Sequence, residues 1–84
     1  MAKRLYVANL DYSIDDKELA GIFTDIGPVV YARVIKDHDS DKSRGFGFIE
    51  FESDNLADDA IKTLNGKNIK GRDIVVKEAN PKTN

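Results

Sequence analysis

The chain shows the same pattern twice: an apolar stripe at helical spacing lies between two segments with strand-like patterns. In each stripe the apolar residues recur at positions i, i+3, i+4 and i+7, which places them on one side of a helix. The stripes are Leu19, Ile22, Phe23 and Ile26, and then Ala57, Ala60, Ile61 and Leu64. Each helix must bury its stripe, and the flanking strands supply a sheet to cover it. This order limits the chain to a few α+β folds.

Polar residues mark the ends of both helices. Asp15 is a suitable N-cap for the first helix, and Glu18 three residues later can complete a capping box. The pair Gly27-Pro28 is predicted to end this helix. Ser53 is predicted to cap the second helix, and Asn65-Gly66 to end it.

Four segments have the alternation or the β-branched content of strands. They are residues 4–9, 29–35, 44–51 and 73–78. The order β-α-β-β-α-β predicts a ferredoxin-like α+β sandwich, in which a four-stranded antiparallel sheet carries both helices on one face. Residues 1–80 are predicted to form one domain, and residues 81–84 a short polar tail.

The composition excludes several classes of protein. The chain has 84 residues, a net charge of −2, one His and no Cys, so it has no disulfide framework, thiolate zinc site or cysteine nucleophile. The Asp37-x-Asp39-x-Asp41 spacing resembles the start of a calcium loop, but Lys42 stands where that loop requires Gly. No apolar run approaches the roughly 20 residues that cross a bilayer. We therefore predict no metal site, no cofactor, no small-molecule substrate and no membrane insertion.

Alternation along the strands sorts the side chains into a core side and an open side. The core side is predicted to hold Leu5, Val7, Ala32, Val34, Ile49, Phe51, Ile74 and Val76. The open side displays Tyr6, Phe46 and Phe48, and folding alone does not require three aromatic rings there. An exposed apolar patch of this kind marks a contact surface. Cations are predicted around it, with Glu50 as the opposing charge: Lys3, Arg33, Arg44 and Lys77.

Two segments resemble the signature motifs of the RNA recognition motif family. The octamer RGFGFIEF at residues 44–51 matches the RNP1 motif at every position, allowing Ile for the usual Val. The hexamer LYVANL at residues 5–10 is similar to the companion RNP2 motif, with Ala8 where Gly is more usual. The overall size and the ending at residues 78–81 resemble small stand-alone proteins of bacteria and cyanobacteria. A bacterial chain would be cytoplasmic, and a eukaryotic one nuclear or organellar.

This resemblance implies binding of single-stranded RNA. Because no nucleophile–base pair is evident and nothing at the edge strands demands a dimer, we expect a monomeric domain without enzymatic activity. Tyr6 and Phe48 would each stack a base, Phe46 would wedge between the two sugars, and Arg44 would pair with a phosphate. Weaker contacts are implied for Arg33, Ile35, Lys77, Ala79, Asn80 and Lys82, and Lys3 joins them as a face cation. Single-stranded DNA is also a candidate ligand, because every base has a π face.

Three alternatives stay open at this point. Arg44 could form a surface salt bridge with Glu50 or a neighbouring acid rather than contact a phosphate. The acidic helical face could make the chain a protein-interaction module, with the aromatic side chains covered by a partner. The fold is also shared with acylphosphatases, so catalysis has to be judged from the residues. No glycine-rich phosphate cradle is visible in the sequence.

Overall fold

A computed structural model describes residues 4–37, 39–40 and 42–79. Its strands are β1 (Arg4–Ala8), β2 (Val29–Lys36), β3 (Ser43–Phe51), β4 (Asn68–Ile69), β5 (Arg72–Asp73) and β6 (Val75–Glu78). Its helices are α1 (Asp16–Thr24) and α2 (Asp54–Leu64). Four strands form an antiparallel sheet in the order β2-β3-β1-β6, and β4 pairs only with β5. The predicted ferredoxin-like fold is confirmed.

The helices begin where the capping residues predict. The Asp15 carboxylate accepts a hydrogen bond from the Glu18 N–H at 2.8 Å, and the Ser53 hydroxyl accepts one from the Leu56 N–H at 3.3 Å. Both bonds satisfy a backbone donor that the first turn of a helix leaves free. Helix α2 ends with Asn65 as its C-cap, followed by Gly66 at a φ of 86°.

The predicted end of α1 at Gly27 is wrong. The helix ends at Thr24 with Asp25 as its C-cap. Gly27 lies in the turn that follows, against α2, where a Cβ would be 2.8 Å from both methyl carbons of the flexible Leu56 side chain. The Gly27-Pro28 pair therefore lies in the turn beside the second helix and does not mark the last helical residue.

The core lies between the sheet and the two helices. Every residue predicted for the core side is buried, except that Ala32 is half-buried against the cluster. Leu10, Ile14, Leu19, Phe23, Ala57, Ala60 and Leu64 complete the buried set. Neither helix in the described part of the chain is long and apolar enough to cross a membrane.

The last predicted strand, residues 73–78, is interrupted. A two-residue turn at Lys70 and Gly71, with φ of 53° and 87°, joins β4 to β5 as a small separate hairpin. The chain then turns inward at Ile74, whose side chain is buried and whose N–H donates to the Lys67 carbonyl at 3.0 Å. Only β6 joins the main sheet. Burial of Ile74 therefore replaces regular strand pairing there.

Strand β2 forms one edge of the sheet and contains two register shifts, one between Val29 and Tyr31 and one between Val34 and Lys36. Near the second shift, the Val34 N–H donates to the Asp16 carboxylate at 2.6 Å. The first residue of α1 thus satisfies a backbone donor of the edge strand.

Candidate nucleic-acid interface

Three aromatic rings form a contiguous cluster on the face of the sheet opposite the helices. Tyr6 of β1 lies directly across from Phe48 of β3, with ring centroids 5.8 Å apart. The Phe46 ring is 5.7 Å from Tyr6 and 6.4 Å from Phe48. All three residues are half-buried, so part of each side chain is open to solvent. We call Tyr6, Phe46 and Phe48 the aromatic platform.

The register of the sheet aligns charged residues with the platform. Arg33, Phe48, Tyr6 and Lys77 occupy one row across the four strands. The Lys77 ammonium nitrogen lies 5.5 Å from the centre of the Tyr6 ring. The row therefore has two stacking surfaces in the middle and a cation at each end, a spacing that suits bases flanked by phosphates.

Arg4 is a platform neighbour that the sequence interpretation missed. Its guanidinium lies 5.0 Å from the ring centre of Tyr31 and 5.8 Å from that of Phe48. Arg4 Nε and Nη2 also donate to Glu50 Oε2 at 2.8 and 2.6 Å. Glu50, which could have paired with Arg44, is therefore the partner of Arg4. One of the face cations is thus largely neutralised by an acid of the same face.

Strand alternation could have identified Arg4, and also Tyr31, which the sequence interpretation missed as well. Arg4 has the parity of Tyr6 along β1, and Tyr31 has the parity of Arg33 along β2. The interpretation assigned Lys3 to the face in place of Arg4. Lys3 lies outside the described residues.

Three further predicted site residues, Arg44, Ile35 and Ala79, lie around the platform. Arg44 is exposed at the start of β3, and Ile35 is half-buried near the end of β2. Ala79 donates its N–H to the Arg4 carbonyl at 2.8 Å, which fixes the chain just beyond β6. A shallow groove of about 450 Å³ is lined by Tyr6, Phe48, Lys77, Glu78 and Ala79. Asn80 and Lys82 lie outside the described residues.

Backbone hydrogen bonds hold the first acid of the loop after β2. The Asp37 carboxylate accepts hydrogen bonds from the N–H groups of Asp39 and Ser40, at 2.8 and 3.2 Å. These bonds lower the pKa of Asp37 below its ordinary value, and the positive charge of Arg44 lowers it further. The charge of Arg44 thus acts on Asp37, while Glu50 forms its ion pair with Arg4.

An antiparallel sheet backed by two helices, with an open aromatic face ringed by cations, defines a sheet-platform nucleic-acid-binding domain. The family comparison is more specific: the model described as "RNA recognition motif" matches residues 5–75. The chain belongs to the RNA recognition motif family, as predicted.

Similar proteins and structures agree with this assignment. The chain is 47% identical over 76 residues to the chloroplastic RNA-binding protein CP29B of Arabidopsis thaliana, covering 90% of this chain and 26% of that protein. It is 42% identical over 76 residues to the mitochondrial glycine-rich RNA-binding protein 4 of the same plant, covering 90% of this chain and 56% of that protein. The chain thus spans about a quarter of the length of the first of these relatives.

Two solved structures show the same fold. The crystal structure of the RNA-binding protein PG1 superposes with a TM-score of 0.90 at 40% identity, and covers 98% of this chain and 99% of that one. The Sxl-lethal protein/RNA complex superposes with a TM-score of 0.91 at 31% identity, and covers 99% of this chain and 50% of that one.

The comparisons contradict the expected cytoplasmic location. Relatives at 40–49% identity are chloroplastic or mitochondrial proteins of plants and not cytoplasmic proteins of bacteria. The organellar location that was kept for a eukaryotic chain agrees with them. The physical reason for the error is that the platform and the core serve RNA binding and folding, and neither depends on the compartment.

Proposed function

We propose that the chain binds single-stranded RNA on the aromatic platform. The observation that carries the proposal is the row Arg33–Phe48–Tyr6–Lys77, in which two adjacent rings lie between two cations. An unpaired base can reach such rings, whereas the bases of a duplex are stacked on one another. The RNA-binding relatives support the same ligand.

The geometry suggests a role for each platform residue. Tyr6 and Phe48 lie side by side, so each can stack one of two successive bases. The Phe46 ring is perpendicular to the Phe48 ring, with an interplanar angle of 90°. The edge of a ring in this orientation suits contact with the sugars between the two bases. Arg44, Arg33 and Lys77 are exposed and can reach phosphates. Ile35 and Ala79 would contribute apolar contact at the rim.

The charges predict weak binding with a shallow salt dependence. Glu50 neutralises Arg4, so two or three phosphate contacts remain for the exposed cations. At about −0.7 per phosphate on a single strand, log Kd against log salt should change with a slope of magnitude near 2. We expect affinity in the micromolar range.

Fluorescence anisotropy tests this proposal directly. The probes are a randomised single-stranded RNA of about ten nucleotides, which exceeds the two or three bases a sheet holds, the matching DNA, and an RNA duplex. Saturable binding of single strands but not of the duplex is expected. A slope of magnitude 5 or more would contradict the charge distribution, and an absence of single-strand binding by folded protein would contradict the function.

The change Glu50→Gln is expected to strengthen RNA binding. It removes the charge that holds Arg4, so the guanidinium can pair with a phosphate while it stays over Tyr31. We expect several-fold tighter binding and a salt slope steeper by about 0.7. The control is Asp59→Asn on the exposed side of α2, which changes the net charge equally but lies away from the platform. Equal effects of the two changes would show that only net charge matters.

We propose that residues 1–80 act as one binding domain, that the protein is a monomer when it binds, and that it performs no catalysis. The platform residues are stacking and charge-pairing groups, which supports binding rather than reaction. Binding of single-stranded DNA is part of the proposal, because stacking does not require the 2′-hydroxyl.

A further inference from the structure

Helix α2 ends at an Asn-Gly pair that joins it to the sheet. Asn65 is the C-cap, and its side-chain oxygen accepts a hydrogen bond from the Val76 N–H of β6 at 2.9 Å. Gly66 has a φ of 86°, a left-handed conformation that glycine adopts without strain, and its N–H donates to the Ile74 carbonyl at 2.7 Å. We call these two hydrogen bonds the α2–β6 junction. The junction needs the amide oxygen of the first residue and the missing side chain of the second.

An Asn-Gly pair is also chemically labile, because the backbone nitrogen that follows an asparagine can attack its side-chain amide. The new bond between this nitrogen and Cγ closes a cyclic imide, the Cγ–Nδ2 bond breaks, and ammonia leaves with the proton of the attacking nitrogen. Water then opens the imide at either carbonyl, which leaves aspartate or isoaspartate in place of asparagine. Glycine permits this attack most readily, because it has no side chain to cover its nitrogen.

Asn65 is the one asparagine of the sequence that is followed by glycine. Asn9, Asn55 and Asn68 are each followed by leucine or isoleucine, whose branched side chains crowd the backbone nitrogen. These three asparagines are therefore internal references for the reactivity of Asn65.

The folded geometry opposes this attack at Asn65. Ring closure requires the Gly66 nitrogen to lie on the same side as the Asn65 Cβ, whereas the Asn65 ψ of 124° turns it away from that carbon. The hydrogen of the attacking nitrogen is held by the Ile74 carbonyl, and the side chain under attack is held by the Val76 N–H. The end of α2 must therefore separate from β6 before the two groups can meet.

We propose that Asn65 is a deamidation site that the native fold protects and that reacts with water when the α2–β6 junction opens. The fraction of time for which a protected group is open sets the rate of a slow reaction at that group. The extent of reaction at Asn65 thus records how long the chain has spent open. Isoaspartate adds a carbon to the main chain and displaces Gly66 relative to Ile74, so a chain that has reacted in this way cannot re-form the whole junction.

Incubation of the protein in buffer and in denaturing guanidinium chloride, at the same pH and temperature, tests this proposal. Trypsin releases Asn65 in the peptide of residues 63–67, and mass spectrometry measures the replacement of its amide by a carboxyl group. We expect this loss to be slower in the folded protein by roughly 10-fold or more. A synthetic peptide of residues 61–69, incubated in both solutions, corrects for the effect of the denaturant on the reaction itself.

The other asparagines are the specificity control. Asn9, Asn55 and Asn68 should keep their amides in both solutions over the period in which denatured Asn65 reacts. Equal rates at Asn65 in the folded and the denatured protein would overturn the proposal. Loss at one of the other three that is as fast as at denatured Asn65 would overturn it as well.

Hydrogen exchange and thermal unfolding measure the junction independently. The N–H groups of Gly66 and Val76 should exchange roughly 10-fold or more slowly than in an unstructured peptide, and exchange as fast as in that peptide would overturn the protection. Asn65→Asp keeps an oxygen for the Val76 N–H and is the matched control for the product. The isoaspartyl form, separated by chromatography from the aged chain, should have a lower thermal midpoint than Asn65→Asp. Equal midpoints would contradict the loss of the junction in the modified chain.

Discussion

Replacing both Phe46 and Phe48 with alanine is expected to weaken the binding of single-stranded RNA roughly 10- to 100-fold. Stacking contributes about 1–3 kcal/mol per base, and each 1.4 kcal/mol is a factor of ten in Kd. The double change removes one stacking surface and the edge that lies perpendicular to it. Tyr6 alone remains, with Lys77 beside it. Anisotropy titration with the ten-nucleotide RNA measures the loss.

The fold should tolerate this change, because both rings lie on the open face and outside the buried core. Circular dichroism and the thermal midpoint verify this. The matched control, Phe46→Tyr with Phe48→Tyr, keeps both rings and should bind within a few-fold of the original protein. Unchanged RNA binding by the alanine variant would place the ligand elsewhere. A protein interaction through the helices should persist in the alanine variant, because both substituted residues lie on the opposite face of the sheet. Loss of RNA binding therefore separates the two functions.

The change Gly47→Ala is expected to have the largest effect on stability. Its Cβ would lie against the Arg33 carbonyl oxygen and 3.0 Å from both Val34 Cα and Leu19 Cδ2. Two of these neighbours are backbone atoms of the adjacent strand, so the sheet itself would have to shift. Overpacking of this kind should cost about 3 kcal/mol or more, a large share of the stability of a small domain.

Thermal and urea unfolding measure this cost, which should lower the melting midpoint by roughly 12–24 °C. Gly21→Ala is the matched control. No atom lies within 4 Å of a Cβ at Gly21, which is exposed inside α1. Because alanine favours helix, this variant should be about 0.5–1 kcal/mol more stable than the original. A small loss in the Gly47 variant would mean that β2 and β3 can separate at little cost.

The sequence was sufficient to predict a structural feature where the interaction that produces it is local. The caps Asp15 and Ser53 bond to N–H groups three residues away, so a short segment contains the whole interaction. The helical stripes and strand alternation likewise determined which side chains are buried. The end of α1 was predicted less well, because the helix stops at Thr24, before the Gly27-Pro28 pair that marks a helix end in the sequence.

The residues of the site were likewise predictable from local motifs, but their long-range pairing was not. The RNP motifs led directly to Tyr6, Phe46 and Phe48, which the structure brings together on one face. The pairing of Arg4 with Glu50 joins residues 46 positions apart, so it follows from the register of β1 against β3. The spacing of residues along the sequence does not determine that register. The charge available to a ligand could therefore be judged only after the strands were aligned.

The hydrogen bond from the Val34 N–H to the Asp16 carboxylate also affects how separate molecules meet. An exposed edge strand is a template on which another chain can add a strand. Here a carboxylate already occupies a donor of that edge, and two register shifts distort the strand on either side. A second molecule approaching β2 would meet a negative charge and an irregular backbone. The β2 edge thus opposes the addition of a strand from another molecule, so crowded molecules can present their aromatic faces without joining through β2.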